Sequence, residues 1–580
     1  MTSAADIGTS TSTSTGAADG TTGAAPESDS VGLRFWHRTF EGVRELFAEG
    51  HGEEGGADDP LPAKTYRGLP RHPLSAPGRA VGDARWSFAA FRRAHPGGAP
   101  DPDRLDEPAV SALLHCAYGM GRMEVGPHAV WPYHRLVASA RCFYPVELYL
   151  WTADRAGDLP AGCHHYDPAH HALTRLRAGA VPDVLLDAVG AERAAAASGA
   201  DGGPAALLVA AVCFRKAAFR YRDYAYRLCA QEAGLTVGNV LLAAGALGLR
   251  ARVHHRFDDR IVNRALGLDG TEETAVAVLD LRTGPLPALV PAPARPSPPP
   301  PPPSTAHVTP AADTLPVIRP AQVRTNTVDR AAWSGLLEVD RAARRTWAAG
   351  RPVVDPQAFH LPADAREDGP VLSLAVPEPV PGGVELAAAL RARDSGGRMF
   401  LPGGEPLPVH QLAAILRHAL EPVPSDHTVR DCRPLVDCHV LALGIDGLDT
   451  GMYRLDPSPA LVRLPGRDWR AVPAMLCDRT PAVNSAKADA LVFLTVNRIA
   501  GERAFGARGY RVLHQESGIV AQRVSVLAAA AGRSVRITNG YHEGVVRESL
   551  GVTDPAYVPV FCMAVGRRRP TAQYEMPLTW

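Results

Sequence analysis

Residues 221–268 (YRDYAYRLCAQEAG…FDDRIVNRALGL) and residues 505–552 (FGARGYRVLHQESG…YHEGVVRESLGV) carry one pattern twice. The register has no gap. Tyr226-Arg227 matches Tyr510-Arg511, Gln231-Glu232 matches Gln515-Glu516, and Leu266-Gly267 matches Leu550-Gly551, each pair 284 residues apart. Solenoid repeats recur every 20–50 residues or so, so a period this long is a duplicated domain. Such a chain can build within one polypeptide the two-fold arrangement that other proteins reach by dimerisation, and its two copies are then free to diverge.

Duplication sets the domain organisation over the 580 residues. Residues 1–30 are Thr, Ser, Ala and Gly with scattered acids, too poor in apolar groups to bury a core, and are expected to be a disordered tail. The first domain is expected over 31–288 and the second over 326–580. The linker, 289–325, contains the run PAPARPSPPPPPPST at 291–305, whose prolines favour an extended, stiff spacer. Lys+Arg and Asp+Glu both number 61, so no nucleic-acid partner is implied. Nine cysteines without a C-x-x-C pair argue for reduced thiols. No apolar run of about 18 residues suggests a membrane span, and no basic-then-apolar N-terminal segment suggests secretion. A cytoplasmic protein is expected.

Both copies predict one order of elements. A helix (Glu107–Tyr118; Pro408–Leu420) precedes an apolar strand (Val146–Thr152; Val436–Leu443), a short hairpin beginning at Gly162 or Gly451, and a second strand (Ala206–Cys213; Ala490–Asn497). A long helix apolar on nearly every face follows (Gln231–Leu247; Gln515–Ala531), stopped by Gly248 or Gly532. A further strand and helix lead to a last strand (Ala275–Leu281; Val558–Val565). The fold class is therefore α+β, a mixed sheet flanked by helices in each copy, with the long helices buried between the copies.

These segments resemble the nitroreductase superfamily, and within it the SagB-type branch. Phe35-Trp36-His37-Arg38-Thr39 with Pro62–Pro70 is similar to that branch's N-terminal segment. Arg135–Glu147 (RLVASARCFYPVE) resembles its Arg-Pro-x-Pro-Ser-Gly-Gly-x-x-Tyr-Pro-x-Glu element, Tyr221–Gly234 and Phe257–Leu268 its central helix and the segment after it, and Arg391–Arg398 (RARDSGGR) its phosphate-binding Arg-x-Ser-x-x-Arg element. The resemblance implies two tandem nitroreductase-like domains forming an intramolecular pseudo-dimer. It also implies FMN as cofactor, a precursor peptide as substrate, oxidation of azoline rings to azoles, and work beside a cyclodehydratase. An NAD(P)H-fed nitro- or quinone-reducing flavoenzyme and a non-catalytic scaffold are the alternatives.

Within that frame the candidate site residues divide between the copies. A flavin phosphate needs arginine and hydroxyl donors. The second copy offers Arg391, Arg393, Ser395 and Arg398, with Arg567 and Arg568 after its last strand; the first offers only Phe91-Arg92-Arg93-Ala94 and Arg282. The first copy keeps Arg135, Ser139 and Tyr144-Pro145, against which the second reads Val429–Leu435 with no serine. In the family's dimers the phosphate-binding arginines come from one subunit and the serine loop from the other, so one complete site per chain is expected. Where the family has Lys-Tyr this chain has Arg220-Tyr221, and the second copy has Ala504-Phe505. Arginine does not deprotonate, which makes Tyr221 the expected proton-handling residue and Arg220 its electrostatic support. The doublets His164-His165, His170-His171 and His254-His255 lack ligand-spaced partners, and neighbouring strand residues point to opposite faces; no metal site is expected.

Overall fold

The computed structural model describes residues 30–48, 60–77, 105–126, 129, 132–153, 159–191, 204–283, 315–323, 330–344, 354–362, 369–373, 386–395, 400, 401, 403–427, 433–456, 460–464, 469–479, 483–570 and 574–578. The tail 1–29, the proline run 291–305 and Arg398 lie outside the described residues.

Two seven-stranded sheets share one topology. The first runs, edge to edge, Arg71–Pro73, Ala172–Ala178, Gly162–Asp167, Val146–Thr152, Ala206–Cys213, Glu273–Arg282 and Arg250–His254. The second runs Val371–Ser373, Ala460–Arg463, Gly451–Asp456, Asp437–Ala442, Ala490–Asn497, Tyr557–Gly566 and Ser534–Thr538. All neighbours within both sheets are antiparallel. Neither sheet is mixed as expected from sequence; parallel pairing among the described residues is confined to the short pair Leu407–Pro408 with Ile445–Asp446 and to the isolated bridge between halves, Val253 to Ser425. The middle strands are buried along their whole length, as expected of continuous apolar runs such as ALLVAAVC.

The long helices are Ala225–Ala246 and Arg508–Ala530, each starting several residues before its expected start. Gly248 and Gly532 follow with φ of 72° and 70°, the left-handed conformation that ends a helix without a Cβ penalty. The helices cross at the repeated glycines. A Cβ on Gly234 would lie 2.2 Å from the Gln515 carbonyl oxygen, and one on Gly518 2.4 Å from that of Gln231. Only hydrogen at both positions permits this backbone contact, which marks the pseudo-two-fold axis.

The halves also exchange segments. The helix Val31–Thr39 lies on the second long helix, with Trp36 4.5 Å from the Tyr510 ring and the Thr39 and Tyr510 hydroxyls 2.9 Å apart. Gln231 donates to the carbonyl of Val560 at 3.0 Å, and its repeat partner Gln515 donates to the carbonyl of Val276 at 3.0 Å. The strand Tyr574–Pro577 crosses over to pair with Met120–Val125. Residues 315–323, inside the expected linker, run along the first half, where Gln322 bridges Tyr66 and Leu315 is buried.

Of Val429–Leu435, the segment set against the Ser139 loop in sequence, residues 429–432 lie outside the described residues. Nearby, Asn239 donates to the carbonyls of Cys116, Ala117 and Leu136, while its repeat partner Arg523 donates to those of Ala419, Glu421 and Pro422.

Candidate active site between the two halves

Three of the five non-glycine residues with positive φ among the described residues lie in the first-half loop Ser139–Tyr144. Arg141, Cys142 and Tyr144 have φ of 51°, 55° and 48°, a conformation non-glycine residues avoid and which costs about 1–3 kcal/mol each. Side chains hold the loop in place. The Ser139 hydroxyl accepts from the Tyr144 N–H at 2.9 Å, and the Tyr144 hydroxyl accepts from the Arg135 N–H at 2.9 Å. The buried Arg135 guanidinium packs over the Tyr118 and Tyr144 rings at 4.3 and 4.5 Å, and its Nη1 finds no partner. Lys216 donates to Glu147 at 2.6 Å and to the Tyr144 carbonyl at 3.4 Å.

Glu232, from the long helix, accepts the Ala140 N–H at 2.8 Å. Burial pushes its carboxyl up to about 8, against the pull of Ser139, Ala140 and Arg135. It therefore holds a proton at neutral pH and can both accept and donate in this loop.

Tyr221 ends the helix Arg215–Tyr221 and is half-buried, with its ring 6.3 Å from that of Phe143 in the strained loop. Arg220 precedes it in the last helical turn. The next residue, Arg222, has φ 48° and ψ −131°, and its repeat partner Gly506 has φ 61° and ψ −150°. The second half makes the same sharp break with glycine. The first half makes it with a side chain that pays a steric penalty, directly beside Tyr221.

Cations of the second half converge on this loop. Arg393 is buried and donates to the carbonyls of Arg135 and Leu136, both at 3.2 Å. Arg122 of the first half donates to Asp394 at 2.6 Å, and Arg568 approaches Asp394 at 3.4 Å while also pairing with Glu575. Burial, with Arg122 nearby, holds the Arg393 guanidinium below its ordinary range; an anion would relieve that cost. Burial, then Arg122 and Arg393, pushes His134 down to about 4, so it is neutral here at pH 7. Ser395 is half-buried next to this group. Arg391 is exposed and its charge acts on His115. Arg567 lies against Gly404. The structure thus gathers Arg393, Arg568, Arg135 and Ser139, with Tyr221 reaching the loop through Phe143, and leaves Arg391 and Arg567 to the side. Arg122, Glu232 and Asp394 were missed because nothing local distinguishes them in sequence; the positive φ of non-glycine loop residues is likewise a three-dimensional signal.

Comparison with known proteins bears on this geometry. A crystal structure from Anabaena variabilis ATCC 29413, provisionally described as a nitroreductase, superposes with a TM-score of 0.65 over 93% of this chain and 100% of that one, at 20% identity. The fold is that of the nitroreductase superfamily. The Nitroreductase family model matches residues 101–279, within the first half. Two curated relatives are the trifolitoxin-processing protein TfxB of Rhizobium leguminosarum bv. trifolii and the microcin B17-processing protein McbC of Escherichia coli. They are 28% identical over 185 residues and 29% over 134 residues, covering 31% and 23% of this chain. The matches span about half of each relative, 48% and 47%. Among the described residues, no helix of this nitroreductase-like chain is long and apolar enough to cross a membrane.

Proposed function

We propose that this chain is an FMN-dependent oxidoreductase with one flavin held between its halves, and that it oxidises azoline-type rings of a ribosomally made precursor peptide to azoles. The observation that carries the reading is the contact of the second-half Arg393 with the first-half loop that holds Ser139. The buried Arg393, held below its ordinary range by burial and by Arg122, and the partnerless Arg135 Nη1 fit a phosphate-bearing cofactor. Arg393, Arg568 and Ser395 would hold the phosphate, with Ser139 and its loop against the rest of the group. The names of TfxB and McbC, which process peptide products, support the substrate class.

Bound FMN supplies a hydride acceptor. The chain supplies orientation and a base that accepts the proton. Tyr221 takes the proton from the ring carbon next to the one that loses hydride, and Arg220 favours the tyrosinate by its charge. The second half, with Ala504 and Phe505 in these places, contributes no base. Phe143, Phe219 and Tyr221 form an aromatic wall that suits a flat heterocycle.

Purified protein is tested with an azoline-containing peptide and, separately, with NAD(P)H and a quinone. Ring oxidation, read as a loss of two mass units, with little NAD(P)H consumption is the expected result. Rapid NAD(P)H oxidation without any effect on azolines would overturn the substrate assignment, and a colourless protein that takes up no FMN would overturn the enzyme reading.

A further inference from the structure

Away from the arginine-rich site, the pseudo-two-fold relates Glu232 to Glu516, and the surroundings of Glu516 are of another kind. Two histidines converge on it. His427 Nε2 lies 3.4 Å and His255 Nε2 3.5 Å from Glu516 Oε1, and one ligand atom from each of the three residues falls within 4.8 Å of the others. All three side chains are buried, exposed by 1%, 3% and 1% for His255, His427 and Glu516. His255 Nε2 and Glu516 Oε1 have no hydrogen-bond partner, an expensive state for buried polar atoms.

The hydrogen bonds around the cluster fix which nitrogen faces inward. Gln515 Nε2 donates to the Val276 carbonyl at 3.0 Å, so the amide must present Oε1 to His255 Nδ1, 2.9 Å away. An amide oxygen only accepts, so Nδ1 carries a proton, and it is Nε2 that faces the cluster, with a lone pair in the neutral ring. Asp426 accepts the N–H groups of His255 and Arg256 at 3.1 and 3.0 Å, locking the backbone beneath the imidazole. Arg508 Nη1 donates to the His255 backbone carbonyl at 2.9 Å while its Nη2 pairs with Asp259, and Arg256 packs over the Phe505 ring. Ligands about 2.0–2.2 Å from a tetrahedral zinc stand roughly 3.3–3.5 Å apart, and two of the three edges here have that length.

We propose that His255, His427 and Glu516 bind a divalent cation of the zinc class, with one coordination position left open. His255 comes from the first half and the other two from the second, so the ion staples the halves. Its ligands come from three separated segments, which is why no spacing betrays them. The doublet His254-His255 does split: His254 turns to Asp280 at 3.1 Å and only His255 reaches the cluster.

The test uses the full chain, dialysed against zinc and then against metal-free buffer, with zinc counted by mass spectrometry and Co2+ substituted for its visible spectrum. His255→Asn and Glu516→Gln are the variants. The first is expected to fold because Asn539, the repeat partner of His255, already makes the matching contact with Gln231 at 2.7 Å. About one zinc per chain is expected, with intense cobalt bands between roughly 500 and 650 nm, falling at least tenfold in both variants while their circular dichroism is unchanged. Chelation should lower Tm in the wild type and not in His255→Asn. Fewer than about 0.1 zinc in the wild type, or equal zinc in a folded His255→Asn protein, would overturn the site. The proposal stands apart from the flavin reading, since neither result depends on flavin content.

Discussion

Tyr221 and Glu232 do different work for one loop, and each can be tested alone. Tyr221→Phe removes the hydroxyl but keeps the ring against Phe143. The expected result is a fall in kcat of about 10²–10⁴ with FMN retained, read by single-turnover assay on flavin-loaded protein; unchanged turnover would place the base elsewhere. Glu232 makes a pH prediction whose sign follows from burial. Its folded carboxyl titrates at about 8 against an ordinary value of 4.5, so the folded state holds the extra proton between those values. Its favourable contribution is complete below about 4.5 and is lost as pH rises to 8, at up to about 1.4 kcal/mol per pH unit. Urea unfolding across pH 5–8 should show a flatter decline for Glu232→Gln than for the wild type. Arg222 belongs at this scale too. Because Gly506 makes the same backbone turn, Arg222→Gly should stabilise the chain by about 1 kcal/mol, and a loss of activity in that more stable variant would show that the strain serves the site.

Between elements, the crossing of the two long helices is the contact that permits a pseudo-dimer. Gly234→Ala or Gly518→Ala places a methyl group in the facing backbone and should cost about 1–3 kcal/mol, measured by denaturant unfolding; a neutral substitution would mean the helices are not packed this closely. The helices, their glycine stops and the middle strands were legible in sequence because each has a strong local cause: long apolar runs, a left-handed cap, a buried strand without alternation. Antiparallel pairing throughout both sheets was not legible, since periodicity reports which face is buried and not which way a neighbour runs. The expectation that Arg393 approaches the segment of Arg135 and Ser139 came from the family resemblance and not from the repeat itself. Asp394, which draws Arg122 and Arg568 together, had no such signal.

Across the whole molecule, each half completes the other. The helix Val31–Thr39 packs on the second half, the strand Tyr574–Pro577 joins the first, and the two glutamines cross the axis in matching bonds. Truncation after Pro570 removes that strand and the Arg568–Glu575 pair, and should lower Tm by several degrees, in proportion to a loss of about 1–3 kcal/mol; an unchanged melting curve would make the exchanged strand ornamental. Repetition in sequence announced two domains, and the residues in which the copies differ already led to the expectation of unequal sites. One side has a strained loop, Tyr221 and a protonated Glu232 facing arginines; the other has His255, His427 and Glu516. The most direct test of this asymmetry is flavin stoichiometry, FMN released per chain after reconstitution with excess cofactor and gel filtration, for the wild type and for Arg393→Ala. One FMN per chain, lost in Arg393→Ala, is the predicted result, whereas two per chain, or one that survives removal of Arg393, would contradict a single site shared between the halves.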